Sequence, residues 1–293
     1  MQRLITLLRL ARPLHLLLAA LTYFLGAGIA HFLGKPQLST AFWFGLLGVL
    51  FAQLSMNLLV EVFRPINEPI VSGETPADRR VTREAALYVS ITALASLAVI
   101  AFLLYKDRLL SAPAFLFIGI SLFILLIYSV PPLRLVDKGF GELLLSMQIA
   151  YLSPSIAYLL QTGTYHNLVV FVSTPLVLLM LAMLIALDFP AYSGDLKYER
   201  RTLLARLGWD RAIPFHHFLV LGAYVLFAAA PFFGFSLGLL WPAFLALPFA
   251  LLQIYWLRNI SLEAKPLWNL LTANAIAIFG LTAYLLTLTF WLR

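Results

Sequence analysis

The chain consists of long apolar runs that alternate with short polar connections. Each run is close to the ~20 residues that an α-helix needs to cross the hydrocarbon core of a bilayer. The pattern predicts nine helices near residues 13–34, 40–63, 82–105, 110–130, 140–162, 167–188, 212–234, 236–257 and 268–291. Little sequence remains outside these runs, so we expect residues 1–293 to form a single polytopic membrane domain.

Basic residues fall mainly on one side of this predicted bundle. The N-terminus and every second connection hold most of the 20 Lys and Arg residues. The exceptions are Lys35, Lys106, Arg108 and Arg293. Because positive charge is retained in the cytoplasm, we expect a prokaryotic-type cytoplasmic membrane protein with its N-terminus in the cytoplasm and its C-terminus outside. Every acidic residue except Asp107 lies on the same cytoplasmic side.

Composition supports the membrane assignment. Hydrophobic residues make up 62% of the chain and charged residues 11%, whereas roughly a quarter of the residues in soluble domains are charged. The expected fold class is therefore an all-α integral membrane bundle. The chain has no cysteine, which excludes disulfides, thiolate metal sites and thiol nucleophiles. We expect contact with membrane lipid and no nucleic-acid partner.

Two polar stretches, residues 57–73 and 188–208, begin where the second and sixth predicted helices end. Acidic side chains at the depth where a helix leaves the hydrocarbon cost free energy unless they are paired or hold a cation, so they are functional candidates. The connections that contain them are the longest on the cytoplasmic side, and long ordered connections are often binding loops. We expect both stretches to face one shared site.

In the first stretch, Asn57 and Glu61 lie one helical turn apart, so their side chains project from one face. Oxygen ligands at this spacing suit Mg²⁺, which binds through a few carboxylates together with substrate phosphates. The alternative is a polar helix end packed against Arg64, and the spacing alone does not separate the two interpretations.

In the second stretch, Asp188 and Asp195 flank a segment that contains Pro190 and Gly194, so the sixth helix should end between them. Basic residues follow at Lys197, Arg200, Arg201 and Arg206. Such a set would bind a diphosphate or, alternatively, the anionic surface of the inner leaflet. The acidic residues interleaved with it favour the diphosphate.

A third polar stretch, residues 128–142, follows the fourth predicted helix and contains a Pro-Pro turn. It brings Tyr128, Arg134 and Lys138 to the cytoplasmic face, either as part of the site or as an interfacial turn with an aromatic anchor. His216 and His217 begin the seventh helix. Neighbouring helical positions point about 100° apart, a poor geometry for binding one metal ion.

At these stretches the chain resembles the UbiA superfamily of intramembrane prenyltransferases, and the resemblance covers nearly the whole chain. The first family motif, Asn-Asp-x-x-Asp-x-x-x-Asp followed by Asn-x-Pro and Ser-Gly, is matched by Asn57, Glu61, Asn67, Pro69, Ser72 and Gly73. The second motif, aspartate-rich with a basic tail, is matched by Asp188, Asp195, residues 200–203 and residues 206–208. The Tyr-Ser-x-Pro-Pro segment that precedes Arg134 also matches.

The motifs are incomplete in this chain. Leu58, Pro65 and Ala191 stand where the family commonly has aspartates, and Glu61 replaces another aspartate. Glu68 stands where many members have a basic residue. Compared with the family pattern, fewer carboxylates remain to hold Mg²⁺, and an additional negative charge lies near the expected diphosphate.

The resemblance implies nine helices around a central cavity and the Mg²⁺-dependent transfer of an isoprenoid from a prenyl diphosphate to an aromatic or lipid acceptor. The catalytic residues that it implies are Asn57, Glu61, Asp188 and Asp195, of which Glu61, Asp188 and Asp195 would hold the metal. The substrate-binding residues that it implies are Arg64, Asn67, Tyr128, Arg134, Lys197 and Arg201. The basic tail is most similar to the quinone-biosynthesis branches.

Two other functions remain open at this stage. A catalytically degraded homologue would bind an isoprenoid lipid, a quinone or a pigment as an accessory subunit of a membrane complex, and it would then have protein partners. A transporter fits less well, because its polar residues would be expected near the bilayer midplane, whereas these residues cluster at one face.

Overall fold

The computed structural model of the chain describes residues 2–65, 67–70 and 73–293, with side chains from Ile5 onward. Within these ranges, nine helices are long and apolar enough to cross a membrane. Here called spans 1 to 9, they are Pro13–Phe32, Ser39–Val62, Pro76–Lys106, Ala112–Ser129, Gly141–Thr162, Asn167–Lys197, Trp209–Ala228, Leu237–Ser261 and Trp268–Leu292. The predicted all-α membrane fold is confirmed.

Several spans are assembled from shorter helical segments. In chain order the α-helices are α1 Gln2–Leu10, α2 Pro13–Phe32, α3 Ser39–Val62, α4 Pro76–Lys106, α5 Ala112–Ser129, α6 Gly141–Met147, α7 Ser153–Thr162, α8 Asn167–Asp188, α9 Tyr192–Lys197, α10 Leu203–Leu207, α11 Trp209–Ala228, α12 Leu237–Leu240, α13 Leu247–Ser261 and α14 Trp268–Leu292. A π-helical turn joins α6 to α7, and 3₁₀ turns join α8 to α9 and α12 to α13.

The centre of the bundle is formed by spans 5 and 6, whose side chains are mostly buried, whereas most side chains of spans 3 and 4 are not buried. Span 1 packs against α7 and α14, and α8 packs against α11 and α14. The exposed side chains of spans 3 and 4 are largely apolar, as expected of surfaces that face lipid rather than water. Spans 5 and 6 are therefore the rigid elements that position the polar groups at their ends.

Span 5 is tied to span 1 at its π-helical turn. The Thr22 hydroxyl donates a hydrogen bond to the Ile149 carbonyl at 2.6 Å, and the Ser153 hydroxyl donates to the Ala19 carbonyl at 2.8 Å. Gly26 packs directly on the backbone of Pro154, where a Cβ atom would overlap the carbonyl group. Hydroxyls from a neighbouring helix can satisfy carbonyls freed near a proline, which explains how Pro154 is accommodated inside a span.

Span 3 begins earlier than the predicted residue 82. Thr75 caps α4 by accepting a hydrogen bond from the Asp78 N–H at 3.2 Å, and Pro76 occupies the first turn, where it is well tolerated. The first two turns carry Arg79 and Arg83, which donate to the backbone carbonyls of Pro65 and Arg64. The mean hydropathy of these charged turns is lower than that of a spanning helix, so the sequence pattern does not reveal that they are helical.

The helical path of span 6 also extends further than predicted. The helix α8 ends at Asp188, but the 3₁₀ turn Phe189–Ala191 and α9 continue the path to Lys197. Pro190 falls in the first turn of the new segment, where its missing N–H costs no helical hydrogen bond. As a result Asp195 lies on the extension of span 6 and is 4% exposed.

The orientation of the chain in the membrane remains a prediction that cysteine labelling can test. Thr75→Cys should react with a membrane-impermeant maleimide only after the cytoplasmic side is opened, because the α3–α4 connection carries the retained positive charge. Thr164→Cys, in the exposed connection between α7 and α8, is the matched control and should react in intact cells. The chain has no native cysteine to interfere. Labelling of position 75 in intact cells would contradict the topology.

Candidate active site

The cytoplasmic ends predicted for spans 2 and 6 lie at the same end of the bundle, where a cavity of about 130 Å³ opens. Its lining is made by residues from spans 1, 4, 5 and 6 and from the connections between them. The lining residues are Arg12, His15, Tyr128, Val136, Gly141, Glu142, Leu145, Leu184, Leu187, Asp188, Arg200 and Thr202. A larger cavity of about 370 Å³ lies at the opposite end of span 6, but its walls are mostly apolar.

The first motif places a charged carboxylate in the protein interior. Glu61, in the last turn of α3, is 2% exposed. Its Oε1 lies 3.2 Å from Arg12 Nη2, and its Oε2 lies 2.5 Å from Arg64 Nη2. A buried carboxylate is costly unless it is paired and hydrogen-bonded, and here two guanidinium groups meet that requirement.

These ion pairs continue from the first motif to the second. Arg64 Nη1 lies 2.6 Å from Glu68 Oε1, and Arg200 Nη1 lies 3.5 Å from the same oxygen. Arg200 Nη1 also lies 3.4 Å from Asp195 Oδ1. The alternating series, here called the ion-pair chain, consists of Arg12, Glu61, Arg64, Glu68, Arg200 and Asp195. It is electrically balanced and connects span 1, both motifs and span 6.

Glu68 has a definite place in this arrangement. It is 5% exposed and bridges Arg64 to Arg200. The negative charge that departs from the family pattern is therefore neutralised on both sides by guanidinium groups, and it links the two motif segments. The sequence showed only the additional charge and not its partners.

Asn57 uses its amide to hold the start of span 1. Its Nδ2 donates to the Ala11 carbonyl at 2.8 Å, and its Oδ1 accepts from Gln53 Nε2 at 2.9 Å. The same oxygen lies 3.2 Å from His15 Nδ1. In this structure the predicted catalytic Asn57 positions the segment that carries Arg12 and His15 rather than lining the cavity itself.

Arg12 occupies an unusual position between α1 and α2. Its backbone is left-handed, with φ of 49°, a conformation that non-glycine residues adopt at a cost and often at functional sites. This turn directs the half-buried guanidinium into the cavity beside Tyr128 and Glu61. Burial alone would lower the pKa of Arg12, but Tyr128 and Glu61 leave that pKa raised above its ordinary value. Arg12 is therefore a permanent cation in the cavity wall.

Asp188 lines the cavity at the end of α8, and its Oδ2 is buried without a hydrogen-bond partner among the described residues. Glu142, in the first turn of α6, lines the same cavity. Glu142 Oε1 accepts a hydrogen bond from the Leu203 N–H at 2.9 Å, whereas its Oε2 is buried and likewise without a described partner. Two carboxylates that line one small cavity thus each have a buried oxygen without a described partner.

The predicted substrate-binding residues are distributed unevenly around the cavity. Tyr128 lines it. Arg64 is part of the ion-pair chain, and Arg134 is buried beside it, bonded to Asp137 at 2.5 Å and to the Val60 carbonyl at 3.1 Å. Asn67, Lys197 and Arg201 are exposed and do not contribute to the cavity lining. Of the family-motif positions, Ser72 lies outside the described residues.

Three cavity residues have no distinct signal in the sequence, namely Arg12, His15 and Glu142. Arg200 and Thr202 stand out there only as members of the basic tail of the second motif. Between the neighbours Arg200 and Arg201, the loop after α9 turns Arg200 inward and Arg201 outward. That choice depends on the path of an irregular loop, for which no periodic sequence signal exists.

The donors suit a hard cation that binds oxygen, such as Mg²⁺. Within the described part of the chain, no three His, Asp or Glu side chains come together as a preformed metal site. Of the predicted ligands, Asp188 has an open buried oxygen, whereas Glu61 and Asp195 contact arginines. Asp188 is therefore the predicted ligand that could bind Mg²⁺ without losing a contact with an arginine. Glu61 or Asp195 would have to give up an arginine contact in order to bind the metal.

Together the fold and this site define a polytopic helical membrane protein with a polar cavity, both acidic and basic, at one end of its bundle. The sequence profile of the UbiA prenyltransferase family matches residues 16–274, and the chain belongs to this family. The predicted family is thereby confirmed. A search of curated proteins found no match.

Solved structures confirm the fold. A UbiA homologue from Archaeoglobus fulgidus bound to DMAPP and Mg²⁺ superposes with a TM-score of 0.66 at 17% identity, over 98% of each chain. A structure described as digeranylgeranylglyceryl phosphate synthase in membranes gives 0.61 at 17% identity, over 100% of this chain and 98% of that one. A UbiA homologue from Aeropyrum pernix K1 gives a TM-score of 0.54 at 14% identity, over 92% of this chain and 96% of that one.

The neighbours Arg200 and Arg201 allow a matched test of the ion-pair chain. Arg200→Gln should lower the free energy of unfolding by about 1–3 kcal/mol, because it leaves two buried carboxylates with one partner fewer. Arg201→Gln, at the exposed neighbouring position, should stay within about 0.5 kcal/mol of wild type. Thermal unfolding in detergent, followed by tryptophan fluorescence, measures both variants. Equal effects would contradict the inward placement of Arg200.

Proposed function

We propose that the protein transfers an isoprenoid chain from a prenyl diphosphate to a lipid-soluble acceptor at the cavity between spans 1, 4, 5 and 6. The observation that carries this proposal is a cavity that presents the guanidinium groups of Arg12 and Arg200 beside the second-motif carboxylate of Asp188, and that is joined to the first motif by the ion pair between Arg12 and Glu61. A diphosphate with a divalent cation needs both kinds of partner, whereas a free anion needs only the guanidinium groups and a neutral lipid needs neither.

Arg12 and Arg200 are the residues placed to bind the diphosphate. Both line the cavity, and both already contact carboxylates at 3.2–3.5 Å. The planar guanidinium group matches phosphate oxygens as well as it matches carboxylates. The incoming diphosphate would compete with these carboxylates for the guanidinium groups, and a divalent cation bound with it would compensate the negative charge of the carboxylates that it displaces. Tyr128 places a hydroxyl beside Arg12, where it can donate to a phosphate oxygen.

The reaction begins as the bond between the allylic carbon and the diphosphate oxygen breaks, and the electron pair leaves with the diphosphate. Fixed cations in a site of low dielectric constant stabilise this developing negative charge. Mg²⁺, for which we propose Asp188, Asp195 and Glu61 as ligands, would add further charge stabilisation when bound. Leu145, Leu184 and Leu187 form the apolar part of the wall and keep water away from the allylic cation. The acceptor then attacks the cation and releases a proton.

The acceptor that we favour is an aromatic quinone precursor. The support for it is the similarity of the basic tail, residues 200–208, to the quinone-biosynthesis branches of the family. Hydroxybenzoate, dihydroxynaphthoate, chlorophyllide and glycerol-phosphate lipids are the acceptor classes to compare. The solved relatives with DMAPP and with GPP support short prenyl diphosphates as the first donors to test.

The second candidate is a homologue without activity that binds an isoprenoid lipid or a quinone as an accessory subunit. The observation that favours it is the pairing of Glu61 and Asp195 with arginines, which leaves fewer free carboxylates than the family motifs supply. A purified wild type that transfers no prenyl group to any acceptor class, but retains a co-purified lipid, would favour this second function.

Asp188→Asn is the sharpest test of the enzymatic proposal. It should lower the turnover of geranyl diphosphate with Mg²⁺ by about 10²-fold, because it removes the charge of the carboxylate with an open buried oxygen. The matched control is Glu84→Gln, which removes an exposed carboxylate paired with Arg80 on the surface of α4. The control should retain wild-type turnover. Full turnover in Asp188→Asn would contradict the assignment.

The incomplete second motif allows two opposite tests, in which one variant removes a carboxylate and the other restores one. Asp195→Asn should abolish Mg²⁺-dependent turnover, because no acid at position 191 replaces it. Ala191→Asp should preserve or raise turnover by restoring a carboxylate. Both variants are compared with wild type in lipid nanodiscs across a range of Mg²⁺ concentrations. An Asp195→Asn protein with full prenyl transfer would remove Asp195 from the set of metal ligands.

A further inference from the structure

Glu142 belongs to neither aspartate-rich motif, yet its carboxylate faces the same cavity as Asp188. It is the second residue of α6, which follows the turn at residues 130–140. Gly141 packs on the backbone of Val136, with the position of a Cβ atom only 2.9 Å from the Val136 Cα. This close approach seats the first turn of α6 against the preceding turn, and Glu142 is 8% exposed as a result.

The two oxygens of Glu142 have different surroundings. Oε1 accepts the hydrogen bond from the backbone N–H of Leu203, the first residue of α10. Oε2 is buried, has no partner among the described residues and belongs to a side chain that lines the cavity. One oxygen therefore fixes the carboxylate against the tail of the second motif, and the other is left available to a ligand.

Asp188 completes the pair. Its Oδ2 is also buried without a described partner, and its side chain lines the same cavity as that of Glu142. Two carboxylates in one buried site repel each other unless a proton or a cation lies between them. The arginines of the cavity wall do not meet this need in the present arrangement, since Arg12 pairs with Glu61, and Arg200 pairs with Glu68 and Asp195.

We propose that Glu142 is a ligand of the divalent cation, together with Asp188, and supplies a carboxylate that the incomplete motifs lack. The atoms of this pair that would bind the cation are Glu142 Oε2 and Asp188 Oδ2, and Glu142 thereby adds to the ligands Asp188, Asp195 and Glu61 proposed above. The role of the cation in this inference rests on the proposed prenyl transfer. The cation site itself is inferred from the two buried carboxylate oxygens that have no described partner. Leu58, Pro65 and Ala191 stand where the two family motifs commonly have acidic residues. Glu142 would supply one carboxylate in their place, from a different span.

The chemistry of the site selects a small hard cation. Both donors are carboxylate oxygens, and the cavity of about 130 Å³ leaves room for water and for phosphate oxygens beside the ion. Mg²⁺ prefers one or two carboxylates together with waters and substrate phosphates. Mn²⁺ accepts the same oxygen ligands and can be followed by its spin resonance, so it serves as the probe.

The test measures Mn²⁺ binding without any prenyl substrate. The full-length protein in lipid nanodiscs is titrated with Mn²⁺, the free ion is quantified by electron paramagnetic resonance, and Mg²⁺ is added as competitor. Glu142→Gln keeps an oxygen to accept the Leu203 N–H and removes only the charge. Because the loss of even an outer-shell partner weakens metal binding about 10- to 100-fold, Glu142→Gln should weaken Mn²⁺ binding at least about tenfold. Glu84→Gln, the exposed control, should bind like wild type.

A folded Glu142→Gln protein that binds Mn²⁺ with wild-type affinity would overturn the proposal. A wild-type protein that binds no Mn²⁺ would also overturn it and would indicate that the two carboxyl groups share a proton instead. Should Glu142→Gln fail to fold, Asp188→Asn is titrated in its place, and unchanged affinity there overturns the proposal equally. Prenyl transfer is measured on the same preparations. Mn²⁺ binding without transfer would contradict the proposed activity alone, and transfer with unchanged affinity in Glu142→Gln would contradict the cation site alone.

Discussion

The site depends on the burial of acidic side chains at the end of an apolar bundle, and the ion-pair chain is the interaction that makes this burial possible. Glu61, Glu68 and Asp195 are each at most 5% exposed. Isolated carboxylates in such surroundings would be strongly destabilising. Arg12, Arg64 and Arg200 neutralise them in alternation. The same contacts hold span 1 and both motif segments together, so the shape of the cavity and its charge balance have one physical origin.

This origin also explains how basic and acidic groups can coexist around a cavity of about 130 Å³. The guanidinium groups are held in place by carboxylates until an anionic ligand competes for them, so they are already oriented and largely desolvated when the ligand binds. Glu142 and Asp188 lie outside this balance, because their open oxygens have no guanidinium partner in the described structure. The cavity therefore has a balanced part suited to the diphosphate and an unbalanced acidic part suited to a cation.

Much of the fold was predictable, because nine runs of apolar residues have the length and the charge asymmetry of membrane spans. The helix boundaries that differ from the prediction are those where charged residues extend a helix beyond its apolar run, as in Pro76–Lys106. The sequence singles out Glu61, Asp188 and Asp195 because acids at helix ends are conspicuous, but it does not show that Asp188 lines the cavity while Glu61 and Asp195 pair with arginines. Arg12, Glu142 and the inward choice of Arg200 over Arg201 were not found, because they depend on contacts between distant segments and on an irregular loop.

The central claim is that a prenyl diphosphate binds in this cavity with a divalent cation. The most direct measurement is an experimental structure of the protein with Mn²⁺ and an unreactive thio-analogue of geranyl diphosphate, in which anomalous scattering locates the metal. The account predicts that the diphosphate lies between Arg12 and Arg200 and that Mn²⁺ is coordinated by Asp188. A diphosphate bound elsewhere, or a cavity that stays empty at saturating ligand with the ion-pair chain intact, would contradict it.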